Sequence, residues 1–206
     1  MNTREILGLA PVIPVLVIDN PETAVALGTA LVGGGLKVLE ITLRTPAAFE
    51  AIDAIKNSVE GAVVGAGTVN TPEQLEQCAK YGVDFMVSPG FHVPLVRAAA
   101  EKNIPYLPGI ATASEALAAI NEGVTTLKFF PAEQNGGVAM LKALGGPYNE
   151  LFFCPTGGIN AGNYLNYLSL ANVICVGGSW VAPKDLVAKQ DWPAIESLAK
   201  SVTITH

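Results

Sequence analysis

Eight short apolar runs recur along this chain, with starts 20 to 27 residues apart: "PVIPVLVI" (11–18), "VLEITL" (38–43), "AVVGAGTV" (62–69), "FMVSPG" (85–90), "PYLPGI" (105–110), "TLKFFPAE" (126–133), "LFFCPTGGI" (151–159) and "VICVGGSWV" (173–181). Segments punctuated as helices lie between them. "NPETAVALGTALVGGG" (20–35) opens on an asparagine cap with proline in its first turn and ends in glycine. "TPEQLEQCAKYG" (71–82) opens on Thr71 and stops at Gly82, and "TASEALAAINEG" (112–123) sets Glu115 at the capping-box spacing from Thr112. Strands that alternate with helices must pair in parallel, because each crossover returns the chain to the same edge. Eight such units in 206 residues predict an α/β chain in which a single domain, residues 1–206, closes into a (β/α)8 TIM barrel. The opening "TREILGLA" predicts a short N-terminal helix that plugs the bottom of the barrel. An open doubly wound sheet is the competing arrangement. It is weakly supported, because "GAGTVNTPE" lacks the third glycine of a dinucleotide-binding turn.

Composition removes several function classes. The formal net charge of −6 offers no basic face for nucleic acid. Residues 151–183 carry no Asp, Glu, Lys or Arg, yet Pro155, Gly157, Gly158, Asn160 and Asn163 break their apolar runs far short of the roughly 20 residues that a membrane-spanning helix needs. Two buried strands flanking a short helix account for this segment better. The N-terminal "MNTREILGLAPVIPVLVIDN" has acid and base ahead of a proline-broken stretch, unlike a signal peptide. Cys78, Cys154 and Cys175 show no CxxC spacing and are expected as buried free thiols of a reducing, cytoplasmic setting. His92 and His206 are the only histidines, too few for a histidine-rich metal site.

Against this background Lys128 stands out, placed between Leu127 and Phe129–Phe130 on an otherwise apolar strand. Lysine is rarely buried without a partner. Strand alternation sets Glu40, Thr42 and Arg44 on one face of their strand and Thr126, Lys128 and Phe130 on one face of theirs, both turned to the barrel interior. A Glu40–Lys128 ion pair with a purely structural role is a poor account, since apolar residues of similar volume usually stabilise a core as well or better. A functional account makes use of the cost. Desolvation and a nearby guanidinium both push a lysine pKa below its reference of about 10.4, and a neutral amine attacks a ketone to form a Schiff base. Glu40 then serves as the proton carrier, and Arg44 as a two-pronged holder of a substrate carboxylate.

The glycine pairs in "PTGGI" (155–159) and "VGGSW" (176–180) follow strands seven and eight, where this architecture most often binds phosphate. Paired glycines let backbone N–H groups approach an anion, and Ser179 adds a hydroxyl. In "GAGTV" (65–69) the glycines relieve crowding in the interior, and Thr68 ends the strand with a hydroxyl aimed at the mouth. A phosphosugar isomerase or epimerase on the same barrel would share the glycine loops. It would more often move protons with Asp, Cys or His than with a buried lysine.

In this order, "LEITLRT", "GAGTV", "VSPG", "PGIATASE", "KFFPAE", "PTGGIN" and "GGSW" closely resemble the 2-keto-3-deoxy-6-phosphogluconate aldolase family, which includes 4-hydroxy-2-oxoglutarate aldolases. The resemblance implies a class I aldolase without metal or other cofactor, assembled as a homotrimer. Its action would be cleavage of a phosphorylated 2-keto sugar acid to pyruvate and glyceraldehyde 3-phosphate. It also implies Lys128 as the Schiff-base residue, Glu40 as the proton shuttle, and Arg44 and Thr68 as holders of the pyruvate carboxylate. Phe130 would then lie beside the imine, Thr156 would touch the hydroxylated part of the aldehyde, and Gly157, Gly158 and Ser179 would grip the phosphate.

Overall fold

A computed structural model describes residues 1–203; His206 lies outside the described residues. The strands are β1 (Val12–Leu16), β2 (Val38–Thr42), β3 (Val63–Gly67), β4 (Phe85–Val87), β5 (Tyr106–Leu107), β6 (Gly109–Ile110), β7 (Thr126–Phe129), β8 (Phe152–Pro155) and β9 (Val176–Gly178). Helices α1 (Thr3–Leu7), α2 (Ala24–Gly33), α3 (Ala48–Ser58), α4 (Pro72–Lys80), α5 (Val93–Glu101), α6 (Ala113–Asn121), α7 (Gly137–Leu144), α8 (Tyr164–Leu168), α9 (Lys184–Ala188) and α10 (Trp192–Thr203) alternate with them. Every strand pair is parallel, in two sheets ordered β5-β4-β3-β2-β1-β9 and β6-β7-β8.

The helix starts follow their sequence signals. Asn2 with Glu5, Thr71 with Gln74 and Thr112 with Glu115 form capping boxes that satisfy otherwise orphaned N–H groups. Helix α3 buries Ala48, Ala51, Ile52 and Ile55 on a single stripe facing the sheet. Each fully buried isoleucine there contributes about 1.5–3 kcal/mol.

Alternation along β2 divides the core in two. Leu39 and Ile41 join the large cluster under the helices. Val38 points the other way, into an interior cluster with Ile13, Phe85, Val87, Leu107, Cys154 and Cys175. Ile6 and Leu7 of α1 pack into that same interior cluster, so the N-terminal helix plugs one end of it as its sequence predicts. Residues 151–183 likewise resolve into two buried strands, β8 and β9, around the short α8. Among the described residues no helix is long and apolar enough to cross a membrane. Cys78, Cys154 and Cys175 are all buried free thiols, and burial pushes the Cys78 thiol up to about 12.

Three expectations need correction. The fifth apolar run is two short strands, β5 and β6, separated at Pro108, which has no N–H to give to a ladder. The sixth run ends as a strand at Phe129 and turns into a short 3-10 helix at Glu133–Asn135, with no strand through 133. Gly177 and Gly178 lie within β9 and do not follow it, and their register partners are Ile13 and Pro14. There they make room: a Cβ on Gly177 would press on the Thr156 side chain, and one on Gly178 on the Trp180 ring.

Candidate active site

Glu40 and Lys128 meet across the interior. Glu40 is on β2 in the larger sheet and Lys128 on β7 in the smaller, 88 residues away. Lys128 Nζ donates to Glu40 Oε1 at 3.2 Å, with both side chains only 5% exposed. No purely apolar interior would hold two such groups without cost. Space for the carboxylate comes from Gly67 on the neighbouring strand, where a Cβ would meet Glu40 Cγ at 2.7 Å. Gly65 likewise admits the Phe85 ring. The glycines of "GAGTV" therefore relieve crowding, as the sequence suggests, and Gly67 does so directly against Glu40.

Arg44 lies two residues past β2 in a turn, and its side chain is exposed. Its Nε donates to Thr68 Oγ1 at 3.2 Å. The charged group touching Lys128 is the Glu40 carboxylate, the partner that strand alternation predicts, while Arg44 lies beyond the strand in a turn. Thr68 has φ +61°, a left-handed conformation that is a true outlier for a β-branched residue. Such strain persists only where the surroundings over-determine it, and it clusters at functional sites.

Phe130 places its ring centroid 5.4 Å from Lys128 Nζ, within cation–π range. Thr156, just past β8, is 6% exposed, and its Oγ1 is buried without a hydrogen-bond partner among the described residues. A buried hydroxyl left unpaired is costly unless something else meets it. Gly157 and Gly158 follow at φ +106° and +76°, conformations that glycine adopts without a Cβ penalty. Their loop is tied to the one after β7: Ala132 N donates to Thr156 O at 2.8 Å and Glu133 N to Gly157 O at 3.1 Å. Ser179 is exposed at the end of β9, and with Trp180 it lines a cavity of about 530 Å³ that also touches Val15, Asp19, Lys184 and Gln190. That cavity includes neither Lys128 and Glu40 nor Thr156, Gly157 and Gly158.

The structure thus joins the expected residues as three groups: Glu40 with Lys128 and Phe130, Arg44 with Thr68, and Thr156 with the Gly157–Gly158 loop. Among the described residues the Ser179 side chain makes no hydrogen bond to any of these. Sequence reasoning missed Glu133, because it placed the residue at the end of a strand. The carboxylate accepts a hydrogen bond from the Tyr167 phenol. His92 is exposed at the start of α5, away from these groups.

A buried amine held against a carboxylate, on a parallel α/β sheet whose following loops are rich in glycine, defines an enzyme of carbonyl chemistry, in the aldolase class. Residues 3–198 match the family described as "Aldolase: KDPG and KHG aldolase", and the chain belongs to that family. The 2-dehydro-3-deoxy-phosphogluconate aldolase of Dickeya dadantii is 49% identical over 199 residues, covering 97% of this chain and 93% of that one. A KDPG aldolase from Legionella pneumophila, solved with pyruvate captured at low pH as a covalent carbinolamine intermediate, superposes with a TM-score of 0.96 at 42% identity, covering 98% of each chain. The Zymomonas mobilis enzyme, solved with 3-phosphoglycerate, superposes with a TM-score of 0.92 at 44% identity, covering 97% of this chain and 93% of that one.

Proposed function

We propose that this protein is a class I aldolase cleaving 2-keto-3-deoxy-6-phosphogluconate to pyruvate and glyceraldehyde 3-phosphate through a Schiff base on Lys128. The observation that carries this reading is the buried contact between Lys128 and Glu40. In the proposed sequence Glu40 takes a proton from the amine, and Nζ attacks C2 of the keto acid to form a carbinolamine. Glu40 returns that proton to the carbinolamine hydroxyl, which leaves as water, so the protonated imine forms and Glu40 is a carboxylate again. Glu40 then removes the C4 hydroxyl proton, the C3–C4 bond breaks, and its electron pair flows into the iminium to give an enamine. Protonation at C3 and hydrolysis release pyruvate and restore the amine.

In the same reading Arg44 and Thr68 hold the carboxylate of the keto acid, which explains why a guanidinium is kept at hydrogen-bond distance from a strained threonine. Phe130 packs beside the imine. The unpartnered Thr156 hydroxyl meets a substrate hydroxyl, and the N–H groups of Gly157 and Gly158, with Ser179, take the phosphate. A closed (β/α)8 barrel of one domain, residues 1–206, fits the isolated parallel bridges Phe153–Val173 and Thr156–Gly177, which link the two sheets on one side. On the other side they share the 106–110 segment. A homotrimer in the cytoplasm completes the reading; the family resemblance supports the trimer, and the buried free thiols fit the compartment.

The test is borohydride reduction in the presence of pyruvate. We expect a reduced pyruvyl adduct on Lys128 by peptide mass; no adduct, or one on another lysine, would overturn the assignment. Catalytic efficiency is expected to be higher on the phosphorylated gluconate substrate than on unphosphorylated 4-hydroxy-2-oxoglutarate. A second expectation concerns Gly67. Gly67→Ala pushes a methyl group into the Glu40 side chain, and displacement of a catalytic group by about 1 Å costs on the order of 100-fold in turnover. Overpacking should lower stability by about 1–3 kcal/mol. Steady-state rates and urea unfolding of the variant check both, and wild-type turnover would mean that Glu40 has slack that the geometry denies.

A further inference from the structure

Glu133 lies beyond the strand that bears Lys128 and is tied to the glycine loop in three ways. Its N–H donates to Gly157 O at 3.1 Å. Its side chain covers Gly158 so closely that a Cβ there would meet Glu133 Cγ at 2.6 Å. Its carboxylate accepts from the phenol of Tyr167, a fully buried residue of α8, the helix that follows the glycine loop. Burial raises the Tyr167 phenol pKa, with the Glu133 carboxylate adding to the effect, so the phenol keeps its proton and remains a donor. Gly137 closes the group, since a Cβ there would come within 2.9 Å of the Tyr167 hydroxyl.

Glycines at left-handed φ lose more conformational freedom on ordering than any other residue. A loop of two such glycines holds one shape only if its neighbours fix it. We propose that Glu133 and Tyr167 are positioning residues that hold the Gly157–Gly158 loop in its phosphate-accepting shape and thereby set the preference for a phosphorylated substrate. This rests on the assignment of that loop to the phosphate. The lysine strand and the phosphate loop are then coupled through one side chain, since Glu133 follows Lys128 by five residues.

Tyr167→Phe removes only the hydroxyl. Loss of this hydrogen bond to a charged acceptor, expressed in part as loop disorder, should raise KM for 2-keto-3-deoxy-6-phosphogluconate about tenfold. Turnover number should stay within about twofold. The kinetics on unphosphorylated 4-hydroxy-2-oxoglutarate should not move, so the preference ratio falls about tenfold. Glu133→Gln retains a carbonyl oxygen for the phenol and a stem over Gly158, and it should stay nearer wild type than Glu133→Ala. Equal losses on both substrates, or no change on either, would overturn the proposal, as would a Gln variant no better than Ala. Should Tyr167→Phe fail to fold, the exposed Glu133 pair of variants decides alone. Pyruvate trapping by the wild type is the control: without an adduct the aldolase reading itself falls, whereas intact trapping with an unmoved preference ratio sinks only the positioning role.

Discussion

Lys128→Ala should retain less than about 1 part in 10⁴ of wild-type turnover, because removal of a covalent nucleophile takes the whole catalytic route with it. Pyruvate and borohydride should leave no adduct. The variant should also be measurably less stable. Glu40 faces Lys128 at 3.2 Å with both side chains only 5% exposed, and removing one partner of a buried ion pair costs about 3–5 kcal/mol by leaving the other charge uncompensated. An inactive preparation is therefore informative only if it is folded, which far-UV circular dichroism and an unfolding transition establish. Lys128→Arg supplies the cleaner arm. It keeps a cation against Glu40 but carries no amine able to form an imine, so it should be folded and equally dead. Activity within about a hundredfold of wild type in either variant would remove Lys128 from the covalent role.

How much of this was legible beforehand follows from where side chains obey strand geometry. Glu40 and Lys128 could be paired from sequence because both sit inside regular strands, where period-two alternation holds and an inward charge on an apolar strand needs a partner. The capped helices and the plug made by Ile6 and Leu7 were legible for the same reason, since caps and apolar periodicity are local signals. Arg44, read as the end of its strand, lies in the turn beyond it, where alternation no longer applies; its contact with Thr68 joins two residues that the family resemblance groups together. Pro108 divided a run that reads as one strand, and "KFFPAE" left the sheet at Phe129, four residues before its motif ends. The role of Gly67 could be guessed only in outline: a missing Cβ is visible in a sequence, but the carboxylate that fills its place is contributed by another strand. Glu133 was invisible as a functional candidate, since its partner Tyr167 is 34 residues away on a helix of five residues.

Glu40→Gln separates proton transfer from imine formation. The amide can still accept a hydrogen bond from Lys128 but cannot shuttle protons, and losing a positioned general base costs about 10²–10⁴-fold. Turnover should fall by that amount while pyruvate is still trapped on Lys128, at a reduced rate. If trapping vanishes along with turnover, Glu40 is needed to build the amine's site and not to carry protons. The double replacement Glu40→Leu with Lys128→Met then asks what the pair does for the fold. Apolar substitutes of similar volume for a buried ion pair are commonly neutral or stabilising, by up to about 1–4 kcal/mol, so a pair retained for chemistry predicts an inactive protein at least as stable as the wild type. Denaturant midpoints decide it. A double variant several kcal/mol less stable than wild type would mean that the two charges hold the sheets together, and the catalytic account of why they are buried would lose its physical basis.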